Sequence, residues 1–458
     1  MKITLVHPAQ KTWTRAALIP LGLAYIAAYL EKNSFTDIKV VDYSVEPKAH
    51  LPKADVVGIT ATTASIKSAW RIAKRAKKMG AITIIGGPHA SALPEESAHL
   101  SQVDFVCIGE GEETMLELCQ AIKGGKKNFE KIKGLCFKKG RKVVYTRPRP
   151  LIANLDSLPF PAYHFFKLPL YTSAQPLVST RKPAVGIITS RGCPFNCNFC
   201  YKGTFGRSWR PRGVENVLAE WEYLVKDLKI AEIALMDDAF NLDIDRAIKI
   251  CQEIKKRGLF IPWRSSSGIR ADKAPKKLLR AMKDSGCYHI AFGVESGVQR
   301  VLDLMGKELS LKDVGRTFKT CRELGILTMA FFMIGNLGET RQDIEKTIDF
   351  SIKLDPGFAQ FTVTTPFPGT QIFNLIKKRG EMKIIDWDKY YMFGHKGYFD
   401  YDGLKAEKVT KLVGQAYRKF YLRPKTIFRL MKRKETWLNL PNIIVGGVYY
   451  LVQKDIWI

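Results

Sequence analysis

Three cysteines fall within eight residues, in the run Arg191-Gly192-Cys193-Pro194-Phe195-Asn196-Cys197-Asn198-Phe199-Cys200. Thiolates are the ligands of iron–sulfur clusters, and a cubane takes one ligand for each of its irons. C-x3-C-x2-C supplies three, so one iron is left for another ligand, much as catalytic zinc sites keep one position free. A zinc site with a distant fourth ligand is the alternative. Zinc sites favour paired C-x2-C knuckles, and the chain has no second knuckle. Further along, Asp237 and Asp238 follow an apolar run and either face a ligand or cap the next helix. Glu295 closes the run Ile290, Ala291, Phe292, Val294, where a carboxylate is costly without a partner. Arg270 ends a similar run and suits a ligand carboxylate, with an ion pair to Asp272 or Glu295 as its plainer role.

These residues need elements that bring them together. From 184 onward, six apolar runs over 184–190, 232–240, 262–270, 289–296, 327–335 and 360–366 alternate with helical patterns over 215–228, 243–257, 274–285, 311–325 and 340–353. Six strand–helix units suit a partial barrel, whose active face is the set of strand C-termini. The candidate residues sit at those C-termini. Residues 1–146 alternate in the same way, with strands expected over 2–7, 38–43, 55–60, 81–87 and 104–109, helices over 21–32, 65–79 and 113–122, and a hairpin over 134–146. This pattern predicts a doubly wound parallel sheet, which binds ligands beyond the carboxyl ends of its strands. A proline-rich linker over 147–183 joins the two, and the segment 386–458 follows the barrel.

Composition excludes other classes. The 458 residues are 46% hydrophobic and 26% charged, which is not a disordered chain. No apolar run approaches the ~20 residues that span a bilayer. Nine cysteines, six of them scattered singly, read as reduced thiols plus one cluster; with no export signal in the opening residues, a cytoplasmic location is expected. Cys251, Cys287 and Cys321 fall in or beside helical stretches and read as small core residues. A net charge of +29 points to an anionic partner, and with no RNA module recognisable, nucleic acid is disfavoured.

The cysteine spacing, with an aromatic residue before the last thiol, resembles the radical S-adenosylmethionine superfamily. Met236-Asp237-Asp238-Ala239-Phe240, Gly293-Val294-Glu295-Ser296-Gly297, Phe332-Met333-Ile334-Gly335-Asn336-Leu337-Gly338-Glu339-Thr340 and Thr365-Pro366-Phe367-Pro368-Gly369-Thr370 extend the likeness along the barrel. Together they are similar to the branch with an N-terminal cobalamin domain, which includes radical methyltransferases and the anaerobic magnesium-protoporphyrin ester cyclase. Leu337 stands where that branch usually has proline. The resemblance implies a 4Fe-4S cluster on Cys193, Cys197 and Cys200. It implies S-adenosylmethionine against Phe199, Asp237, Asp238, Arg270, Glu295 and Gly335, cleaved to a 5′-deoxyadenosyl radical with electrons from an external low-potential donor. Methylation of an unactivated carbon through methylcobalamin is the favoured activity, with radical ring closure as the alternative. A cobalamin sensor with an inactive barrel is the reading from another class, disfavoured by the intact cysteines.

In the N-terminal region the dinucleotide fingerprint G-x-G-x-x-G is absent after the first strand. Four segments are instead similar to the cobalamin domain of that branch, and they supply Gly22, Thr60, Thr62, Ser65, Gly86, Gly87, His89, Gly109, Glu110 and Gly111 as expected contacts. Asp-x-His-x-x-Gly is missing, so no protein histidine is expected on cobalt. His7 and His89 read first as hydrogen-bonded loop residues. A methylthiotransferase would need three more clustered cysteines, and Cys107, Cys119 and Cys136 are spread over different elements. In the tail, Arg423, Lys425, Arg429, Lys432, Arg433 and Lys434 interleave with Phe420, Tyr421, Ile427, Phe428, Leu430 and Met431, ahead of an apolar stretch over 443–452. That pattern suits either an interfacial helix on an anionic membrane, implying a lipophilic or membrane-derived substrate, or a helical cap that closes the barrel.

Overall fold

The computed structural model describes residues 1–9, 18–172, 177–383, 386–390 and 396–440. Strands that read as near-continuous apolar runs are those covered on both faces, and two such sheets are present. The first contains β1 (Ile3–His7), β2 (Ile38–Asp42), β3 (Val56–Thr60), β4 (Ile82–Gly86), β5 (Phe105–Cys107), β6 (Leu135–Lys139) and β7 (Lys142–Tyr145), in the order β2-β1-β3-β4-β5-β6-β7. The first five pair in parallel, while β6 and β7 form the expected hairpin on the edge. The order reverses between β1 and β3, and this is where a doubly wound sheet opens its ligand crevice.

The helices of this sheet are α1 (Leu21–Lys32), α2 (Ile66–Lys78), α3 (Pro88–Ala92), α4 (Pro94–Ala98) and α5 (Glu112–Lys123). Helix α2 buries Ile66, Ala69, Ile72, Ala73 and Ala76, leaving Lys and Arg on its other face. The short α3 and α4 were not expected; each is five residues opened by a proline, too short to show a period.

The linker forms turns that pack between the sheets. Tyr163 is buried and donates to Glu220 Oε1 at 2.7 Å, while Ala162 N–H bonds Ala24 O. The second sheet begins with β8 (Ala184–Ile187). A two-stranded ladder of β9 (Ser190–Arg191) and β10 (Arg210–Pro211) frames the cysteine loop. Then come α6 (Val214–Glu222), β11 (Glu232–Leu235), α7 (Ile244–Lys256), β12 (Trp263–Ile269), α8 (Lys276–Asp284), β13 (Cys287–Glu295), α9 (Gln299–Leu304), α10 (Leu311–Glu323), β14 (Leu327–Ile334), α11 (Arg341–Leu354), β15 (Phe358–Val363) and α12 (Gln371–Arg379). The six strands β8, β11, β12, β13, β14 and β15 pair in chain order, all parallel, as in a (β/α) barrel wound without closing. Helix α9 is an addition to the expected pattern. Cys251, Cys287 and Cys321 are buried and unpaired, and burial pushes their thiols up.

The tail contains α13 (Ala406–Tyr421), α14 (Pro424–Met431) and α15 (Lys434–Leu438). Helix α13 lies along the edge strand β15. Phe361 N–H donates to the Tyr417 hydroxyl, and Tyr421 hydroxyl bonds both the N–H and the C=O of Ala359. Helices α14 and α15 turn under the amino-terminal ends of the barrel strands, where Arg433 donates to the carbonyls of Leu177 and Val178. The cap reading therefore describes residues 406–440, and the apolar stretch 443–452 lies outside the described residues.

Candidate functional site

The carboxyl ends of the two sheets face each other across one cavity of about 790 Å³. Strand ends β1, β3 and β4 form one wall, through His7, Thr60 and Gly86; the barrel forms the other. The cysteine loop enters from β9, and Cys193, Cys197, Phe199 and Cys200 all line the cavity. Burial raises the Cys197 and Cys200 thiols, opposed by Lys307 and Lys202 near Cys197 and by Lys202 near Cys200. Cys200 is nonetheless accessible to solvent; the open cavity accounts for both, being reachable by water yet walled by protein. Among the described residues, no three His, Cys, Asp or Glu side chains converge on a point as one bound ion would require. Three thiols on the wall of one cavity fit the three protein ligands of a cluster.

Beside the thiols, Glu295 ends β13 with φ 65°, paired to Lys307 Nζ at 2.9 Å. Both line the cavity. Burial pulls the Lys307 ammonium down, but Glu295 and Cys197 outweigh it and the net shift is upward. Sequence reasoning missed Lys307. It sits on the turn after α9, a helix of six residues, and the Gly306-Lys307 pair offered only a weak signal. Asp238 also faces the cavity and accepts the Gly192 N–H at 3.1 Å; burial raises its carboxyl.

Other expected contacts are engaged elsewhere. Arg270 lines the cavity, but its guanidinium is committed: Nε and Nη2 bond Asp272, Nη1 bonds Lys307 O at 2.9 Å, and Nη2 also bonds Glu308 O. It lies 3.6 Å over the Phe195 ring. Arg270 thus braces the Lys307 turn, and Lys202 beside Cys200 and Lys307 on Glu295 bring two further cations to the wall. Asp237 is buried off the cavity, accepting from Thr189 N, Thr189 Oγ1 and Ser190 Oγ, each at 2.6 Å. Neither aspartate caps α7; Asp243 does, accepting from Arg246 N. Gly335 lies behind the wall, where its N–H donates to Glu339 at 2.7 Å and a side chain would strike Val409.

On the N-terminal side, Gly22, Thr60, Thr62, Gly86, Gly87, Gly109, Glu110 and Gly111 line the cavity. Ser65 and His89 do not. Ser65 Oγ accepts the Thr62 N–H, closing the turn before α2. His89 is buried; Nδ1 meets Thr63 Oγ1 and Nε2 meets Glu96, both at 3.2 Å, and its ring packs edge-on to Trp387. His7 lines the cavity with Nδ1 on Asp42 at 2.9 Å. Both histidines are hydrogen-bonded, His7 at the cavity wall and His89 away from it. Glu110 accepts from Arg191 and Arg210, and Glu112 from Arg191, so this turn is bound directly to the strand that bears the thiols.

Comparison with known proteins follows the same division. A family model described as the Radical SAM superfamily matches residues 187–351, and one described as the B12 binding domain matches residues 15–119. An uncharacterized methyltransferase of Pyrococcus horikoshii is 36% identical over 445 residues, covering 94% of each chain. An anaerobic magnesium-protoporphyrin IX monomethyl ester cyclase of Rubrivivax gelatinosus is 28% identical over 417 residues, 88% of this chain and 74% of its own. Among solved structures, the cobalamin-dependent S-adenosylmethionine radical enzyme OxsB, with aqua-cobalamin and S-adenosylmethionine bound, shares the fold at a TM-score of 0.73 and 18% identity, over 99% of this chain and 73% of that one.

Proposed function

The chain belongs to the Radical SAM superfamily, in the branch that carries a B12-binding domain, and on that premise we propose that it methylates an unactivated carbon of a lipophilic substrate. It is an enzyme that works with a 4Fe-4S cluster, S-adenosylmethionine and cobalamin, and it draws on an external electron donor. When bound, these groups supply a carbon radical that removes a hydrogen atom and a cobalt centre that carries a methyl group. The cavity that the two sheets share carries the reading, since both activities must reach one substrate carbon.

In this reading residues 1–146 serve cobalamin and 184–385 the radical chemistry. Cys193, Cys197 and Cys200 hold the cluster. Phe199, Asp238 and Glu295 with Lys307 orient S-adenosylmethionine, while Arg270 and Asp237 hold the loops that carry them. Gly22, Thr60, Thr62, Gly86, Gly87 and the 109–111 turn admit the flat macrocycle, because small residues allow close backbone approach. Anaerobic incubation with methyl-labelled S-adenosylmethionine and candidate tetrapyrrole or lipid substrates tests it. Label in the product is the expected result. An unlabelled, oxidised product with 5′-deoxyadenosine formed would assign the ring-forming activity named for the cyclase relative.

The location we propose is cytoplasmic, at the periphery of an anionic membrane. Leu422, Ile427, Phe428, Met431, Trp437 and Leu438 are exposed around α14 and α15, among Lys425, Lys432 and Lys434. Apolar side chains ringed by cations suit an anionic lipid surface. No helix among the described residues is long and apolar enough to cross a membrane. This face lies under the barrel, at the opposite strand ends from the cavity, so it would anchor the enzyme without delivering substrate to the cavity. Sedimentation with anionic vesicles should recover the full chain, and Phe428→Ser with Lys432→Glu should lower recovery severalfold. Equal recovery on neutral vesicles would remove the proposal.

A further inference from the structure

Where the two walls of the cavity come closest, charge ties them together. Arg191 stands on β9, two residues ahead of Cys193. Its Nη1 donates to Glu110 Oε1 at 2.8 Å and its Nη2 to Glu112 Oε1 at 2.7 Å. Both carboxylates belong to the Gly109-Glu110-Gly111-Glu112 turn of the other sheet, which lines the cavity. The guanidinium is held over the Tyr25 ring at 4.9 Å and the Phe205 ring at 5.1 Å, one aromatic from each side of the interface. Arg210, paired to Arg191 across the β9–β10 ladder, donates to both oxygens of Glu110 at 3.1 and 2.9 Å. Two arginines thus balance two glutamates, and all four are nearly excluded from solvent, at 2%, 8%, 5% and 4% exposure for Arg191, Arg210, Glu110 and Glu112.

A buried, balanced set of charges adds little stability over apolar packing of the same volume, but breaking one pair strands a charge in the interior. Apolar contacts at a domain interface can slide; this set cannot shift without unpairing. The thiol loop leaves directly from Arg191, and the turn facing the other cofactor begins at Gly109. Movement of either one is therefore transmitted to the other, or stopped by it.

We propose that Arg191 is a positioning residue that couples the two cofactor sites through Glu110 and Glu112, so that an assembled cluster loop preorganises the 109–112 turn for cobalamin, and the reverse. The inference rests on the reading above, in which the thiols hold the cluster and the turn faces cobalamin. Coupling of this kind is reciprocal and is measured as a ratio of affinities.

The test is spectral titration of cobalamin into the full chain, once with its cluster reconstituted and once with the iron removed by chelation. Couplings between sites run about 5- to 150-fold, and roughly tenfold tighter binding to the reconstituted protein is expected. Glu112→Gln removes one charge-assisted bond to Arg191; Glu112→Asp keeps the charge but shortens the reach. In either variant the iron content should match wild type while the ratio falls severalfold short of the wild-type value, since one of the two carboxylates on Arg191 is lost or displaced and only Glu110 still ties the walls together. A folded variant that retains the wild-type ratio overturns the proposal. So do equal affinities in the two states of the wild-type protein, a result that needs no variant to fold. Failure of the underlying cofactor reading looks different: no cobalamin binding in either state.

Discussion

The two walls of the cavity are built from different materials. The N-terminal sheet meets it with backbone turns and small side chains, Gly58, Thr60, Gly86, Gly87, Gly109 and Gly111 among them. The barrel meets it with thiols, carboxylates and ammonium groups: Cys193, Cys197, Cys200, Asp238, Glu295 and Lys307. The first wall leaves room, its Glu110 and Glu112 being neutralised by Arg191 and Arg210, and the other places charge. A wall of the first kind is damaged by adding an atom, and a wall of the second by removing a charge.

The largest effect that would sharpen this contrast is on the charged wall. Cys197→Ala should abolish the cluster's absorbance and all 5′-deoxyadenosine formation, since two thiols cannot hold the cluster. Cobalamin should still bind, weakened by no more than the roughly tenfold coupling between the sites. Next comes the small-residue wall. Gly87 has φ 98°, and a side chain there would come within 2.7 Å of Ala61 O and 2.8 Å of Ala61 N. Backbone cannot give way as a flexible side chain can, so Gly87→Ala should weaken cobalamin binding about 100-fold, combining strain and clash, with iron content unchanged. Gly109→Ala is its control: φ is 81° but nothing lies within 4 Å. Its cost is the left-handed backbone alone, about 1 kcal/mol or roughly fivefold. Equal losses at the two glycines would break the claim that this wall acts by close fit.

Lys307→Met tests the charged wall more gently. It strands Glu295, and removing one partner of a buried pair costs about 3 kcal/mol of stability, read as a lower melting temperature, together with a raised KM for S-adenosylmethionine. The last effect lies behind that wall and touches stability alone. Glu339 accepts the N–H groups of Gly335 and Asn336, with Asp343 and Tyr401 nearby. Burial pushes its carboxyl from 4.5 up to about 7. Between those values the native chain keeps a proton that the unfolded chain has lost, so stability falls as pH rises through the window and levels off above it. The whole change amounts to about 3 kcal/mol. Melting temperatures of the wild type should drop between pH 5 and 7 more steeply than those of Glu339→Gln.

Periodicity and spacing made the framework legible. Six strand–helix units, the hairpin and the thiol loop are all local patterns, and local patterns are what a sequence displays. What stayed hidden was commitment. For Arg270 at a strand end the sequence left a ligand carboxylate and an ion pair to Asp272 or Glu295 open together; the Asp272 pair forms, and the two carbonyls that also hold it were not legible. Asp237 and Asp238 are neighbours in the chain, yet one is sealed by Thr189 and Ser190 and the other faces the cavity. Nothing in their types separates them, because partners 47 and 48 residues away decide it. Arg191 and Lys307 were passed over for the same reason: their partners lie on other elements. His89 shows the opposite case: the hydrogen bonds expected of a lone histidine are made, to Thr63 and Glu96.

The phenols of Tyr417 and Tyr421 carry a consequence for how the tail can be cut. A barrel that does not close has raw edges, and an unpaired row of amides invites another strand. Along β15 the two hydroxyls occupy the amides of Ala359 and Phe361. A chain ended after residue 423 keeps them and should remain monodisperse, whereas one ended at 405 exposes the row and should self-associate. Pelleting of the shorter chain would then report aggregation and not lipid affinity, so only the longer truncation can say what the terminal segment contributes at a membrane.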